Sequence, residues 1–273
     1  MTAMIFKLKG EPDQRLDLSA LTPKRLAGLD EAAVAALPVG TGKAVLRAGD
    51  VFRLTMGDPA DIRISGGSAR LDGVGAGLDR GRITLEGEAG AYAGRAMTGG
   101  ELRIEGNAGP FAGLSMSGGL LRITGNAGDF LGAAATGELT GMRGGVIVVT
   151  GRTGHRAADR MRRGLIAIGG AAGDFPASRM IAGTVVILGD CGRLPGYLMK
   201  RGTILLGGKA AAWTPTFMES GTAPLTILRL LTRELKPLLP ATAPLAAFEG
   251  LVRRHAGDMA ALGKGGIIMP GMA

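Results

Sequence analysis

From Gly81 onward, short alternations of apolar and polar residues recur at a fixed distance. Counting from that glycine, Gly100, Gly119, Gly145, Gly164, Gly183, Gly202 and Gly221 follow at spacings of 19, 19, 26, 19, 19, 19 and 19 residues. The second and fourth positions after each origin are apolar: Ile83/Leu85, Leu102/Ile104, Leu121/Ile123, Ile147/Val149, Ile166/Ile168, Val185/Ile187 and Ile204/Leu206. Period two with branched side chains, bounded by glycine, predicts a short strand with one face inward. Recurrence at about 20 residues predicts a solenoid with one chain turn per repeat. The expected fold is therefore all-β, a single-stranded parallel β-helix of 19-residue coils.

Other columns fit that picture. Methionine stands three residues before every origin from the second on (Met97, Met116, Met142, Met161, Met180, Met199, Met218), where its flexible thioether suits an internal gap. The eighth position is a ladder of small residues, Ala89, Ala108, Ala127, Thr153, Ala172, Cys191 and Ala210. The eleventh is mostly aromatic (Tyr92, Phe111, Phe130, Arg156, Phe175, Leu194, Trp213) and reads as an internal stack. The one 26-residue step places a seven-residue insert within Ala133–Gly141, which must bulge from a corner.

The flanks predict three regions. Residues 1–60 read as a small α/β cap: a strand at Ile5–Leu8, a helix opened by Thr22-Pro23 and running behind Leu26, Leu29, Ala33 and Leu37, and a strand at Val51–Leu54. An end cap is required, because a first coil would otherwise expose apolar surface and unpaired backbone. Residues 61–221 form the repeats. Residues 222–273 carry a Leu-rich helix through Leu228, Leu231, Leu235 and Leu238, a second helix from Leu245 to Arg254, and a glycine-rich tail from Gly263.

The outer face changes along the rod. At the third position the early repeats carry Thr84, Arg103 and Arg122, and the later ones Val148, Ala167, Val186 and Leu205. A strand apolar on both faces is covered on both, so these four mark a docking face for the chain's own C-terminal segment, for a partner subunit, or for both. Charge divides the rod at the same place. The net charge is +9, yet residues 81–140 hold four Arg against six acidic residues, while residues 141–210 hold eleven Arg or Lys against three Asp. A one-signed field attracts acidic partners or ligands, and Arg143, Arg162, Arg163, Lys200 and Arg201 are the candidate residues. Solvated corners that keep rods apart would look the same. Nucleic acid is disfavoured, since no exposed aromatics interleave with these cations.

Catalytic chemistry is absent from the pattern. The single Cys excludes a disulfide framework; Cys191 falls in the small column and reads as a corner residue. His155 stands in a freely varying corner column (Ala91, Pro110, Asp129, His155, Asp174, Arg193), and His255 lies on the expected tail helix. No spacing suits a metal, and no strand–GxGxxG–helix unit is present. The first 20 residues carry Lys7, Lys9, Glu11 and Asp13 rather than an export signal, so a soluble cytoplasmic protein is expected. A polysaccharide lyase would need Asp-rich coils, and a period of 19 excludes six-residue acyltransferase repeats.

The segments Gly99-Gly100-Glu-Leu-Arg-Ile-Glu-Gly106-Asn107-Ala108-Gly109 and Gly118-Gly119-Leu-Leu-Arg-Ile-Thr-Gly125-Asn126-Ala127-Gly128 resemble the GXGXG repeat. That repeat is shared by the glutamate synthase C-terminal domain and the C subunit of formylmethanofuran dehydrogenase. The stretches from Met161 to Gly170 and from Met180 to Gly189, and the tail Gly257–Gly265, resemble the latter more closely. The resemblance implies a β-helical scaffold subunit that binds neither metal nor cofactor and has no activity alone. Its partners would be the other subunits of the complex: an amidohydrolase-like one (A), a second (B) and a formyltransferase (D), with no role for nucleic acid or membrane. In the bacterial form such a complex moves formyl from tetrahydromethanopterin to a methanofuran-type carrier and releases formate; Ala, Gly and Arg usage favours that form. The carrier's glutamyl tail would be drawn to the basic residues named above. The equivalent component of a molybdenum or tungsten dehydrogenase and a free-standing glutamate-synthase-like module remain the alternatives.

Overall fold

The structure is a computed structural model describing residues 2–42, 46–241 and 243–271. Its framework is one thirteen-stranded sheet with few helices beside it. Each repeat contributes one strand, and successive strands pair in parallel with like columns in register. Ile83 lies opposite Leu102, Leu102 opposite Leu121, Leu121 opposite Ile147, and so on through Ile166, Val185 and Ile204. Both inward columns are buried over their whole length, each side chain contributing about 1.5–3 kcal/mol relative to exposure. A second ladder of parallel bridges joins Ala89, Ala108, Ala127, Thr153, Ala172 and Cys191 in turn. Small side chains let those backbones approach. At the origin column Gly145 has φ +85°, and an added Cβ would lie 2.8 Å from the Gly118 carbonyl carbon, so only glycine fits.

The sheet is mixed at its two ends. The N-terminal strand Ala3–Leu8 pairs in parallel with Asp58–Ser65 and antiparallel with Phe52–Thr55, which makes the outer edge. The single helix expected behind Thr22 is two short ones, Pro23–Leu26 and Glu31–Ala35. Gly28, at φ +80°, follows the first, and the Asp30 carboxylate accepts the Ala33 N–H to open the second.

At the other end the sequence expectation is corrected twice. Residues 251–257 form a strand rather than the end of a helix; only Leu245–Phe248 is a short 3₁₀ turn. The residues after Gly263 form the strand Lys264–Pro270, which pairs in parallel with Arg201–Leu206. It sets Gly265 opposite Gly202 and Ile267 opposite Ile204, and so occupies the place expected for the strand around Gly221. The displaced segment Met218–Pro224 becomes the far edge, antiparallel to Leu251–Gly257. Met97, Met116, Met142, Met161, Met180 and Met199 are buried as expected, while Met218 is 62% exposed.

The first three aromatics of the column are not internal, whereas Trp213 packs against the core. Tyr92 is exposed, and Phe111 and Phe130 are half-buried. The three rings stack on the outside of a corner with centroids 5.0 and 5.1 Å apart. Their backbones lie at φ 61–63°, a costly conformation for bulky residues, and the stack, together with the pairing of each corner to the next, offsets it.

Candidate interaction surfaces

The wall bearing Val148, Ala167, Val186 and Leu205 is buried, and what covers it is the chain's own C-terminal segment. The amphipathic helix Thr226–Leu235 turns Leu228 and Leu235 inward, and Leu239, Leu245, Phe248, Val252 and Ile268 complete one apolar cluster with those four residues. The cover ends where the column turns polar: Arg122 Nη1 donates to the Leu238 carbonyl at 3.1 Å. Direct contact between a partner and these four side chains is therefore closed off in this structure. The surface left on that wall is the outside of the helix, with Ile227 63% and Leu230 57% exposed.

The basic residues gather along one rim, where the strands begin. Arg143 lies opposite Arg163 in adjacent strands, and Arg201 lies opposite Lys264; Arg162 and Lys200 directly precede Arg163 and Arg201. All six are exposed, and among the described residues none has a carboxylate within ion-pairing distance. Arg143 Nε instead donates to Thr140 Oγ1 at 3.0 Å. Lys264 was hidden from sequence reading because the tail was not recognised as a repeat, although Gly265, Ile267 and Met269 carry its spacing. Several acidic residues elsewhere in the repeats are paired, as in Arg82–Glu101 and Arg193–Asp174.

The corner column holding His155 is a ladder rather than a free surface. Asp129 Oδ1 accepts the His155 N–H at 2.7 Å, His155 Nδ1 accepts the Asp174 N–H at 2.9 Å, and Asp174 Oδ1 accepts the Arg193 N–H at 2.8 Å. Asn107, Asn126 and Asp190 do the same from a position three residues earlier in their repeats. Hydrogen bonding from the Arg193 guanidinium, and then from its amide, holds the Asp174 carboxyl below its ordinary range. The common chemistry is a side-chain acceptor reaching the next repeat's amide, which makes His155 a structural residue.

The remaining titratable groups also serve the framework. Burial, aided by Asp190 and Asp174, pushes the Cys191 thiol up to about 12, so it is unreactive. His255 stacks on Trp213 at 4.9 Å at the far end of the core; burial pushes its pKa down, Glu219 opposes that and Arg253 adds to it. Asp258 is fully buried, and its carboxylate accepts the amides of Leu198 and Ala260, both at 2.9 Å. Burial works against its ionisation, but the hydrogen bonds it accepts, those of the two amides among them, prevail and hold its carboxyl below the ordinary range. Among the described residues no group of three His, Cys, Asp or Glu could hold a metal, and no helix is long and apolar enough to cross a membrane.

The geometry is that of a long, largely parallel sheet whose surfaces differ in polarity and cover. The sequence model described as the GXGXG motif matches residues 65–220. The C subunit of the formyltransferase/hydrolase complex Fhc from Methylorubrum extorquens is 45% identical over 85 residues, which is 31% of this chain; the match spans about a third, 32%, of that relative. A chain in the crystal structure of the formyltransferase/hydrolase complex FhcABCD from Methylorubrum extorquens, in complex with methylofuran, superposes with a TM-score of 0.91. That chain is 42% identical, with 98% of this chain and 100% of the other covered.

Proposed function

This chain belongs to the GXGXG family, and from that premise we propose that it is the non-catalytic scaffold subunit of a multisubunit formyltransferase/hydrolase complex. The complex moves formyl from tetrahydromethanopterin to a methanofuran-type carrier and releases formate, in the cytoplasm. The observation that carries the reading is the full-length similarity, at 42% identity, to a chain of a complex solved with methylofuran. It favours this reading over the dehydrogenase component and the glutamate-synthase-like module. Purifying the chain from its native cell tests it: formyltransferase and amidohydrolase subunits should come with it in fixed ratio, and a chain that purifies alone overturns it.

In this reading the repeats of 61–221 are coils of a parallel β-helix, with the sheet and the small-residue ladder as two of its walls. Residues 1–60 close one end and residues 222–273 cover and close the other. Docking on the covered wall runs through the outside of the helix Thr226–Leu235 and not through Val148, Ala167, Val186 and Leu205 themselves. The rim of Arg143, Arg162, Arg163, Lys200 and Arg201, with Lys264, attracts the glutamyl tail of the carrier, because these cations at the starts of the strands, on either side of Ile181-Ala182, give that edge one sign of charge. Reversing Arg143, Arg163 and Arg201 to Glu in the complex should raise KM for the formylated carrier several-fold and flatten its salt dependence. If both stay at the parental values, the rim does not touch the carrier.

A further inference from the structure

The seven-residue insert remains without a role in the fold. Residues 134–140 leave the rod and return to nearly the same point: an added Cβ on Gly141 would lie 2.8 Å from the Ala133 carbonyl carbon and from the Ala134 nitrogen. The backbone course of the repeat does not need the excursion. Yet the loop is pinned. The Glu138 carboxylate accepts from Ser115 Oγ at 2.8 Å, the Glu138 carbonyl accepts from Arg160 Nη1 at 3.1 Å, and Thr140 Oγ1 accepts from Arg143 Nε. These ties, from the repeats on both sides, hold Leu139 in water at 77% exposure. A pre-organised loop that presents a large apolar side chain to solvent is built to lose that exposure to something else.

Beside Leu139 opens a groove of about 620 Å³ with a floor of Ile181 and Leu198. Its far bank is the turn after Asp258, which lines it with Ala260 and Ala261 and also leaves Met259 47% and Leu262 51% exposed. The buried Asp258 fixes that bank by holding the Leu198 and Ala260 amides together. Cations rim it. Arg179 is committed to the buried Asp159 carboxylate, but Arg160 and Lys200 have no carboxylate partner among the described residues. No buried polar atom without a partner lines the groove among the described residues, so nothing in it is set to orient a small polar ligand. A second copy of the chain would bring one basic rim against another.

We propose that residues 134–140 and the groove beside Leu139 are a docking site for another subunit of the complex, which inserts an apolar side chain flanked by carboxylates. The apolar group fills the floor beside Leu139, and the carboxylates meet Arg160 and Lys200. The proposal rests on the scaffold reading and adds where one partner is held.

Two variants and a cross-link in the native complex test it. Deleting residues 134–140 joins Ala133 to Gly141 and restores the 19-residue spacing, so the rod should keep its far-ultraviolet circular dichroism and its Tm. Leu139→Asp leaves the loop in place and opposes carboxylates. Each should weaken, at least tenfold, the retention of one particular subunit while the others stay bound. A photoreactive residue at position 139 should cross-link to a partner peptide bearing an apolar residue beside Asp or Glu. Retention of every subunit in parental ratio by both folded variants overturns the proposal, as does a cross-link to a second copy or to a peptide without acidic residues. Should the deletion variant misfold, Leu139→Asp and the cross-link decide. If the unmodified chain itself brings no subunit, it is the scaffold reading that has failed.

Discussion

Asp258 shows how a single carboxylate can organise a surface. It is fully buried, and it ties Leu198, in the repeat that begins at Gly183, to a turn sixty residues further on. Its folded pKa is depressed, so its stabilising contribution is complete above the ordinary carboxyl value of 3.8 and is lost as pH falls below that, through the folded value. Asp258→Asn keeps one acceptor but turns an N–H₂ toward an amide, and should cost about 1–3 kcal/mol with the acid limb of the stability curve flattened. Thermal melts between pH 2.5 and 7 would check both; a variant as acid-sensitive as its parent contradicts the assignment. Cys191 gives a simpler expectation. With its thiol pushed up to about 12 and buried, the native protein should resist alkylation at pH 8 and react stoichiometrically once unfolded. At this scale the sequence was partly legible. Its columns identified Cys191 as a corner residue, but the column of Asp129, His155 and Asp174 looked variable because residue names differ where the accepted hydrogen bond is the same.

Among the elements, the helix Thr226–Leu235 and the apolar wall beneath it illustrate why cover is specific. The change from Arg122 to Val148 at one column sets where the wall begins, and the Arg122 guanidinium on Leu238 sets where the cover stops. Val186→Lys would bury an unpaired ammonium under the helix and should destabilise the chain by on the order of 3–5 kcal/mol, while Ile227→Lys on the exposed side should leave Tm within a degree or two. Chemical denaturation of the two variants separates them, and equal stabilities would mean that the helix does not lie on that wall. The helix was readable from its leucine spacing. Residues 251–257 were not, because Leu251, Phe248 and Arg254 also fit a helical period; an open sheet edge decided in favour of the strand, and local periodicity carries no information about a pairing partner that lies far along the chain.

The whole molecule depends on that distant partner. Lys264–Pro270 covers the edge of Arg201–Leu206, whose Ile204, Leu205 and Leu206 are fully buried. A chain cut after Gly250 would keep every consecutive repeat through Arg201–Leu206 yet expose a long apolar edge, and exposed edges template association. It should elute as soluble oligomers or precipitate, as light scattering would reveal; a monomer as stable as the parent would show the closing strand to be dispensable. The repeat itself, and the parallel pairing it dictates, were legible from 19-residue spacing alone. The closure was not, because it requires one repeat unit to be cut out of order and supplied from residues 43 positions beyond Gly221.

That order has a consequence during synthesis. Fifty-seven residues separate Leu206 from Lys264, so at ~5–20 residues per second the ribosome takes roughly 3–12 s between delivering the strand that needs a neighbour and delivering the neighbour. Throughout that interval the nascent sheet is closed at its first-made end and open at its growing one. The interval is a window in which a chaperone, or a sister subunit made nearby, can reach an apolar edge that the finished protein never presents.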